Sequence, residues 1–150
     1  MTARSKIMLN RGAIRRLDDI TDLVALLIPG NRNQQHAAAR ILLALKAHGA
    51  PVAAFAELGR RHGISRRTLE RTRAKLAQLG VIERVTWMHR RSNGQEGWVL
   101  SSKMTSTLRQ LADLWEVWRT DQRADRTEKE TMLAELLRPA TRDSHAPDSR

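Results

Sequence analysis

The sequence predicts a mainly α-helical domain that carries a small two-stranded β-hairpin. Apolar residues recur at three- and four-residue steps over most of the chain, which is the spacing of helices with one buried face. After Gly80 this spacing gives way to a β-branched stretch, and Asn93-Gly94 follows as a dipeptide that favours a tight hairpin turn. With 150 residues, the chain is long enough for one ordinary domain with a substantial core.

The composition excludes several classes of protein. The chain has no cysteine, which excludes disulfides, thiolate nucleophiles and thiolate metal sites and fits a reducing cytosol. No run approaches the roughly 18 apolar residues of a membrane span, and residues 1–9 lack the apolar stretch of a secretory signal. We therefore expect a cytoplasmic protein without a membrane partner.

The positive charge of the chain is concentrated in one stretch. The net charge is +11, and residues 31–100 hold 13 lysines and arginines against 4 acidic residues. Residues 101–150 hold 9 of each and are neutral. A clustered excess of one sign is typical of a surface that binds a polyanion, whereas a merely soluble surface mixes both signs. The distribution predicts a nucleic-acid partner for the middle of the chain.

The N-terminal part is predicted to contain a flexible arm and one helix. Residues 1–12 are polar and basic and are expected to form the arm. Residues 13–28 place seven apolar side chains at helical spacing, and a Pro-Gly pair then ends the helix. Three acidic residues are expected on its solvated side: Asp18, Asp19 and Asp22.

A second helix and a short extended segment are predicted next. The helix covers residues 33–48 and ends at Gly49. Ala50 is disfavoured in the helical region because Pro51 follows it. We therefore expect residues 50–52 to be extended and to form a short first strand.

Two helices joined by a tight turn form the centre of the prediction. The first covers residues 53–62, and Gly63 tolerates the left-handed conformation that a tight helix exit needs. Ile64 is expected to fill the space between the helices, and Ser65 is expected to cap the second helix, residues 65–79, by accepting a bond from an orphan amide. The first turn of that helix combines basic residues with the positive end of the helix dipole, which suits a phosphate or a base edge.

The hairpin after the second helix is predicted to form a small wing. Residues 81–87 form the outgoing strand and residues 97–100 the returning strand. Trp87 and Trp98 are expected to pack across the base of this wing.

The C-terminal part is predicted to be helical and then disordered. A long helix over residues 102–126 is followed by a short one over 127–137 and by a tail, residues 138–150. The apolar stripe of the long helix is broader than a small wing unit needs, which indicates packing against a second chain. Four residues are predicted to line that contact: Leu108, Leu111, Trp115 and Trp118.

Three segments carry a resemblance to a known family: most strongly ISRRTL at 64–69 and LAQLGVIER at 76–84, and also WVLS at 98–101. With the order of elements over residues 13–137, they resemble the MarR-like transcription regulators and, more broadly, the winged-helix superfamily. The resemblance implies a winged helix-turn-helix fold with N- and C-terminal dimerisation helices, a reading unit at 33–100, and a homodimer on a palindromic operator. It also allows a small-molecule effector. The wing departs from the usual MarR pattern of an aspartate and an arginine, because Ser92 and Gly94 stand there.

The resemblance also implies how DNA would be contacted. The helix beginning at Ser65 would enter the major groove, where arginine can donate two parallel bonds to guanine. Arg67 and Arg71 are the candidates for base contact, and Thr68 for a thymine methyl or a phosphate. Four further arginines are candidates for phosphates or the flanking groove, two on the helix and two on the wing: Arg66, Arg73, Arg90 and Arg91.

Other functions remain open on the sequence. A replication or partition protein of a plasmid or phage could use the same fold at an origin, and an RNA-binding or protein–protein adaptor module could as well. The histidines lack metal-ligand spacing, and no P-loop, nucleophile elbow or dinucleotide fingerprint is present. We therefore expect no cofactor, no metal and no enzymatic activity.

Overall fold

A computed structural model describes residues 10–86 and 94–140 of the chain. This part is mainly helical and contains one small antiparallel sheet. In chain order, its elements are α1 (Arg11–Arg15), α2 (Ile20–Leu27), α3 (Arg32–Ala47), α4 (Ala56–His62), α5 (Arg66–Gln78), β1 (Ile82–Val85), β2 (Gly97–Leu100), α6 (Lys103–Thr120) and α7 (Ala124–Leu136). The predicted class, mainly helical with a small β-hairpin, is confirmed at this level.

The chain divides into two compact units, Met1–Arg109 and Gln110–Arg150. The buried core lies in the first unit, where α2 and α5 pack on α3. α3 is the centre of that core because one of its faces is apolar along its whole length. Its buried apolar residues are Ala37, Ala38, Ile41, Leu42 and Leu45.

The predicted helix over residues 13–28 is wrong in its continuity. The structure has two helices there, α1 and α2, separated at residues 16–19. Asp19 begins α2, since its side chain accepts hydrogen bonds from the backbone amides of Thr21 and Asp22. The bond from the Thr21 hydroxyl, followed by those from the two amides, lowers the pKa of Asp19. Asp19 is therefore a helix cap rather than the solvated helical charge that was expected.

The sheet pairs β1 with β2, with Ile82 opposite Leu100 and Val85 opposite Gly97. The expected first strand is reduced to one bridge, in which the backbone groups of Val52 and Trp98 bond each other at 3.0 and 2.8 Å. Gly97 permits this approach. Its φ is +154°, and a β-carbon there would lie 2.7 Å from the carbonyl of Val52. The tip of the predicted wing, residues 87–93 with Trp87, lies outside the described residues.

The predicted C-terminal helices have different bounds in the structure. The long helix ends at Thr120 instead of Arg126, and α7 begins at Ala124 instead of Thr127. Asp121 explains the break, because its carboxylate binds both Arg123 and Arg126 at 2.8 Å. Of the predicted tail, residues 138–140 carry no helix or strand, and residues 141–150 lie outside the described part.

Within residues 10–86 and 94–140, we find no helix with the length and hydropathy that a bilayer crossing requires.

Candidate nucleic-acid interface

The turn between α4 and α5 has the predicted geometry. Gly63 adopts a left-handed conformation with φ +65°, and the amide of Ile64 donates to the carbonyl of Gly59 at 2.9 Å. Ser65 is extended and caps α5, with its Oγ accepting from the amide of Thr68 at 3.2 Å. The predictions for Gly63 and for the Ser65 cap are confirmed. The first turn of α5 is therefore fixed by a left-handed exit and a side-chain cap.

Gly59 sets the distance between α4 and α5, and the sequence reasoning missed it. A β-carbon at this position would lie 2.9 Å from the carbonyl oxygen of Ile64 and 2.7 Å from Cδ1 of Leu69. No larger residue fits without moving the backbone of the turn. A glycine inside a predicted helix, four residues before a helix-ending glycine, was the signal that could have identified it.

The inner face of α5 is buried against α3. Leu69, Thr72 and Leu76 are buried, as predicted, while Leu79 is only half-buried. The Oγ1 of Thr72 has no hydrogen-bond partner among the described residues. At the edge of this contact, the ammonium group of Lys75 donates to the side-chain oxygen of Gln34, a buried polar residue of α3.

The outer face of α5 presents two arginines that no carboxylate of the described residues engages. Arg67 and Arg71 are exposed, one helical turn apart, and neither pairs with an acidic residue within the described part of the chain. Their guanidinium groups are thus available to an external acceptor. Thr68 is half-buried, and its hydroxyl lies 2.8 Å from Oγ of Ser65, so this hydroxyl takes part in the cap.

The two arginines expected at the edges of α5 are held by neighbours. Arg66 donates to Glu70 at 2.8 Å, but its side chain remains 92% exposed. Arg73 lies over the ring of Trp98, with its guanidinium carbon 5.1 Å from the ring centre. That contact connects the middle of α5 to β2 through a cation–π interaction. The predicted wing arginines, Arg90 and Arg91, lie outside the described residues.

Trp98 joins three parts of the first unit. Besides Arg73, its ring contacts Phe55, at 6.5 Å between ring centres, and its backbone bridges Val52. The hairpin is therefore fixed both to α5 and to the segment that leads into α4. A groove of about 820 Å³ lies between the segment that leads into α4, α4 itself and the first part of α5, and its apolar lining includes Phe55, Ile64 and Leu69.

A group of basic residues on α3 and α4 was not expected from the sequence. Arg40 Nε donates to His36 Nε2 at 3.5 Å, across one turn of α3. His62 at the end of α4 is near enough to both, and to Arg61, for their charges to act on it. Partial burial, followed by the charges of Arg40 and Arg61 and by His36, lowers the pKa of His62 below its ordinary value of 6.5.

The four residues predicted to line a contact with a second chain are all exposed. Leu108, Leu111, Trp115 and Trp118 lie on α6 with exposures of 42–55%. In the second unit, none of the described residues is buried, although α7 also carries apolar side chains. Trp115 and Trp118 stack at 5.4 Å, and Trp118 Nε1 donates to Glu130 at 2.9 Å, which joins α6 to α7.

Among the described residues, no three histidine, aspartate or glutamate side chains come together as metal ligands. No protein-family model, curated protein or solved structure matches this chain. The resemblance to MarR-like regulators therefore stays a prediction.

Proposed function

We propose that this protein is a sequence-specific double-stranded DNA-binding regulator of transcription that acts as a homodimer. The observation that carries the proposal is the asymmetry of α5. Its inner face is buried in the core, and its outer face presents Arg67 and Arg71 without acidic partners in the described part. In the proposed winged helix-turn-helix, this helix lies in the major groove and the hairpin contacts flanking DNA.

The chemistry of the outer face suits guanine. Arginine donates two parallel hydrogen bonds to the O6 and N7 atoms of guanine, and each such pair contributes about 1–3 kcal/mol of discrimination against a wrong base. The side chains of Arg67 and Arg71 project from successive turns, so they would reach neighbouring base pairs. The rigid cap at Ser65 and the contact of Arg73 with Trp98 would keep the helix and the hairpin in one register on the duplex.

The second copy is proposed to pack against the apolar faces of α6 and α7. Half-exposed leucines and tryptophans recur along α6, and the described part of the second unit has no buried residue. Burial of apolar surface contributes roughly 25 cal/mol per Å², so these helices gain stability from a partner that covers them. Residues 101–150 carry no net charge, and two copies can therefore approach without electrostatic repulsion.

Dimerisation explains how one small reading helix would suffice. A single helix in one groove makes too few contacts for tight specific binding at physiological salt. Two copies about 34 Å apart would read two half-sites separated by one turn of duplex. Such a dimer on a promoter would exclude the polymerase, so we propose repression as the direction of regulation.

The test is selection of duplexes from a random pool by the full chain, with the mass of the protein in solution measured in parallel. We expect a two-fold symmetric consensus that contains guanine in each half-site, with half-site centres one turn apart, and a dimeric mass. Direct repeats would favour the replication or partition function instead. Preference for folded RNA over every duplex would contradict DNA recognition.

A further inference from the structure

A second basic surface lies beside α5 and is not used by the proposed base contacts. It consists of His36 and Arg40 on α3 and of Arg61 and His62 on α4, and we call it the cationic cluster. Arg40 Nε bonds His36 Nε2 across one turn of α3, Arg61 and His62 are consecutive at the end of α4, and the charges of Arg40 and Arg61 both act on His62. Residues from two different helices thus bring like charges together.

Among the described residues, the cationic cluster has no acidic partner to neutralise it. Within the described part of the chain, none of its four residues forms an ion pair with a carboxylate. Glu57, an acidic residue of α4, is engaged by Arg60 at 2.7 Å. Arg40 and Arg61 are permanently charged and form no ion pair within the described residues, so an external anion can supply the counter-charge.

The position of the cationic cluster relative to α5 is fixed by short connections. His62 ends α4 three residues before the cap at Ser65, and Gly59 holds α4 against α5 at van der Waals distance. α3 packs directly along α5 and is bonded to it through Gln34 and Lys75. The cluster is therefore joined rigidly to the start of the proposed reading helix.

The hydrogen-bonding groups of the cluster suit phosphate oxygens. Arginine presents a fork of donors that matches a phosphate. The two arginines of the cluster lie on different helices, unlike Arg67 and Arg71, which project from successive turns of one exposed face, so the cluster suits a backbone contact better than base recognition.

We propose that the cationic cluster binds the phosphate backbone of the duplex that α5 reads, as a sequence-independent anchor. The inference rests on the proposed function, because α5 must lie on DNA for the cluster to reach the same duplex. It adds a distinct role: Arg67 and Arg71 select the sequence, and Arg40 and Arg61 supply affinity for any sequence.

The salt dependence of binding tests this division of roles. Each phosphate neutralised by a basic side chain contributes about 0.9 to the slope of log affinity against log salt. For Arg40→Gln/Arg61→Gln, we expect a slope smaller by about 2 on both a selected and a scrambled duplex. Over a fourfold rise in salt, the loss of affinity should then be about tenfold smaller than in the wild type.

Two control variants complete the experiment. Arg40→Lys/Arg61→Lys keeps the charges and should retain most of the slope. Arg11→Gln/Arg15→Gln removes the same charge from α1, which holds no residue of the cluster, and should leave the slope near that of the wild type. Thermal melting checks that each variant remains folded.

The outcomes separate this inference from the proposed function. In Arg40→Gln/Arg61→Gln, the ratio of affinities for selected and scrambled duplexes should stay constant while both affinities fall. If Arg40→Gln/Arg61→Gln has the same salt slope as Arg11→Gln/Arg15→Gln, the anchor is overturned. This holds even if Arg67→Ala/Arg71→Ala binds the selected and scrambled duplexes with equal affinity. If the wild type binds the selected and scrambled duplexes with equal affinity, sequence reading is contradicted. The salt slope on the scrambled duplex would still test whether the cationic cluster contacts phosphates.

Discussion

Substitution of Gly59 by alanine should destabilise the protein, although alanine is the better helix former. The added β-carbon would lie 2.9 Å from the carbonyl oxygen of Ile64 and 2.7 Å from Cδ1 of Leu69. The leucine methyl can rotate away. The Ile64 carbonyl belongs to the backbone of the turn and cannot rotate away by itself. The added β-carbon therefore requires α4 to move away from α5.

The magnitude follows from two opposing effects. Alanine in place of glycine inside a helix stabilises by roughly 0.5–1 kcal/mol. Overpacking against a fixed backbone costs about 1–3 kcal/mol. Because the closest fixed atom is a backbone oxygen, we take the upper part of that range and expect a net loss of about 1–2 kcal/mol. For a chain of this size, each kcal/mol lowers the melting temperature by about 2–4 °C.

Thermal and urea unfolding of the full chain measure this loss, with Gly49→Ala as the matched control. A β-carbon at Gly49 meets nothing within 4 Å, so we expect Gly49→Ala to be neutral or to stabilise by up to about 1 kcal/mol. The reasoning is refuted if Gly59→Ala is as stable as Gly49→Ala. Duplex affinity should also fall in Gly59→Ala, since the turn that positions Ser65 is displaced.

Three further predictions concern stability. Thr72→Val should raise the free energy of unfolding by about 1 kcal/mol, because the buried Oγ1 lacks a partner among the described residues; destabilisation in urea unfolding would show that this hydroxyl is satisfied. Trp98→Leu should cost about 2 kcal/mol by removing the contacts with Phe55 and Arg73, whereas an unchanged melting temperature would mean that the hairpin is held without them. Bonds from Arg123, and then from Arg126, hold the pKa of Asp121 far below its ordinary value of 3.8. A carboxyl whose pKa is lowered by folding stabilises the folded state at pH values above its ordinary pKa, and this stabilisation is lost as the pH falls. The helicity of the wild type should therefore decrease as the pH drops below about 4, and Asp121→Asn should reduce this decrease.

The parts of the fold that were predicted correctly depend on neighbouring residues. The exit at Gly63, the cap at Ser65 and the buried stripe of α5 are all encoded within a few positions. Each has a local physical cause, either a left-handed conformation, an orphan amide or the helical repeat. For the same reason, the class of the fold followed from the spacing of apolar residues.

The errors arose where a polar side chain competes with an apolar repeat. Residues 13–28 have helical spacing throughout, yet Asp19 caps a new helix in their midst. Residues 102–126 have the same continuity, yet Asp121 binds two arginines at a break. The periodicity of apolar residues indicates which side chains are buried. It does not indicate which carboxylate accepts hydrogen bonds from the backbone or from a neighbouring side chain.

Contacts between distant segments could not be predicted from spacing at all. The cationic cluster joins positions of α3 and α4 that are more than twenty residues apart in sequence. The stacking of Arg73 on Trp98 likewise depends on where the hairpin folds. The role of Arg67 and Arg71 remains a prediction, although their exposure agrees with it.

The most direct test of base reading by α5 combines a modified base with a modified protein. In the selected duplex, 7-deazaguanine replaces one guanine of each half-site and removes the N7 acceptor that arginine would use. We expect the wild type to lose at least about fivefold in affinity, as one lost arginine–guanine contact would imply, and Arg67→Ala/Arg71→Ala to be insensitive to the replacement. Equal sensitivity of the two proteins would contradict the proposal that these arginines read guanine.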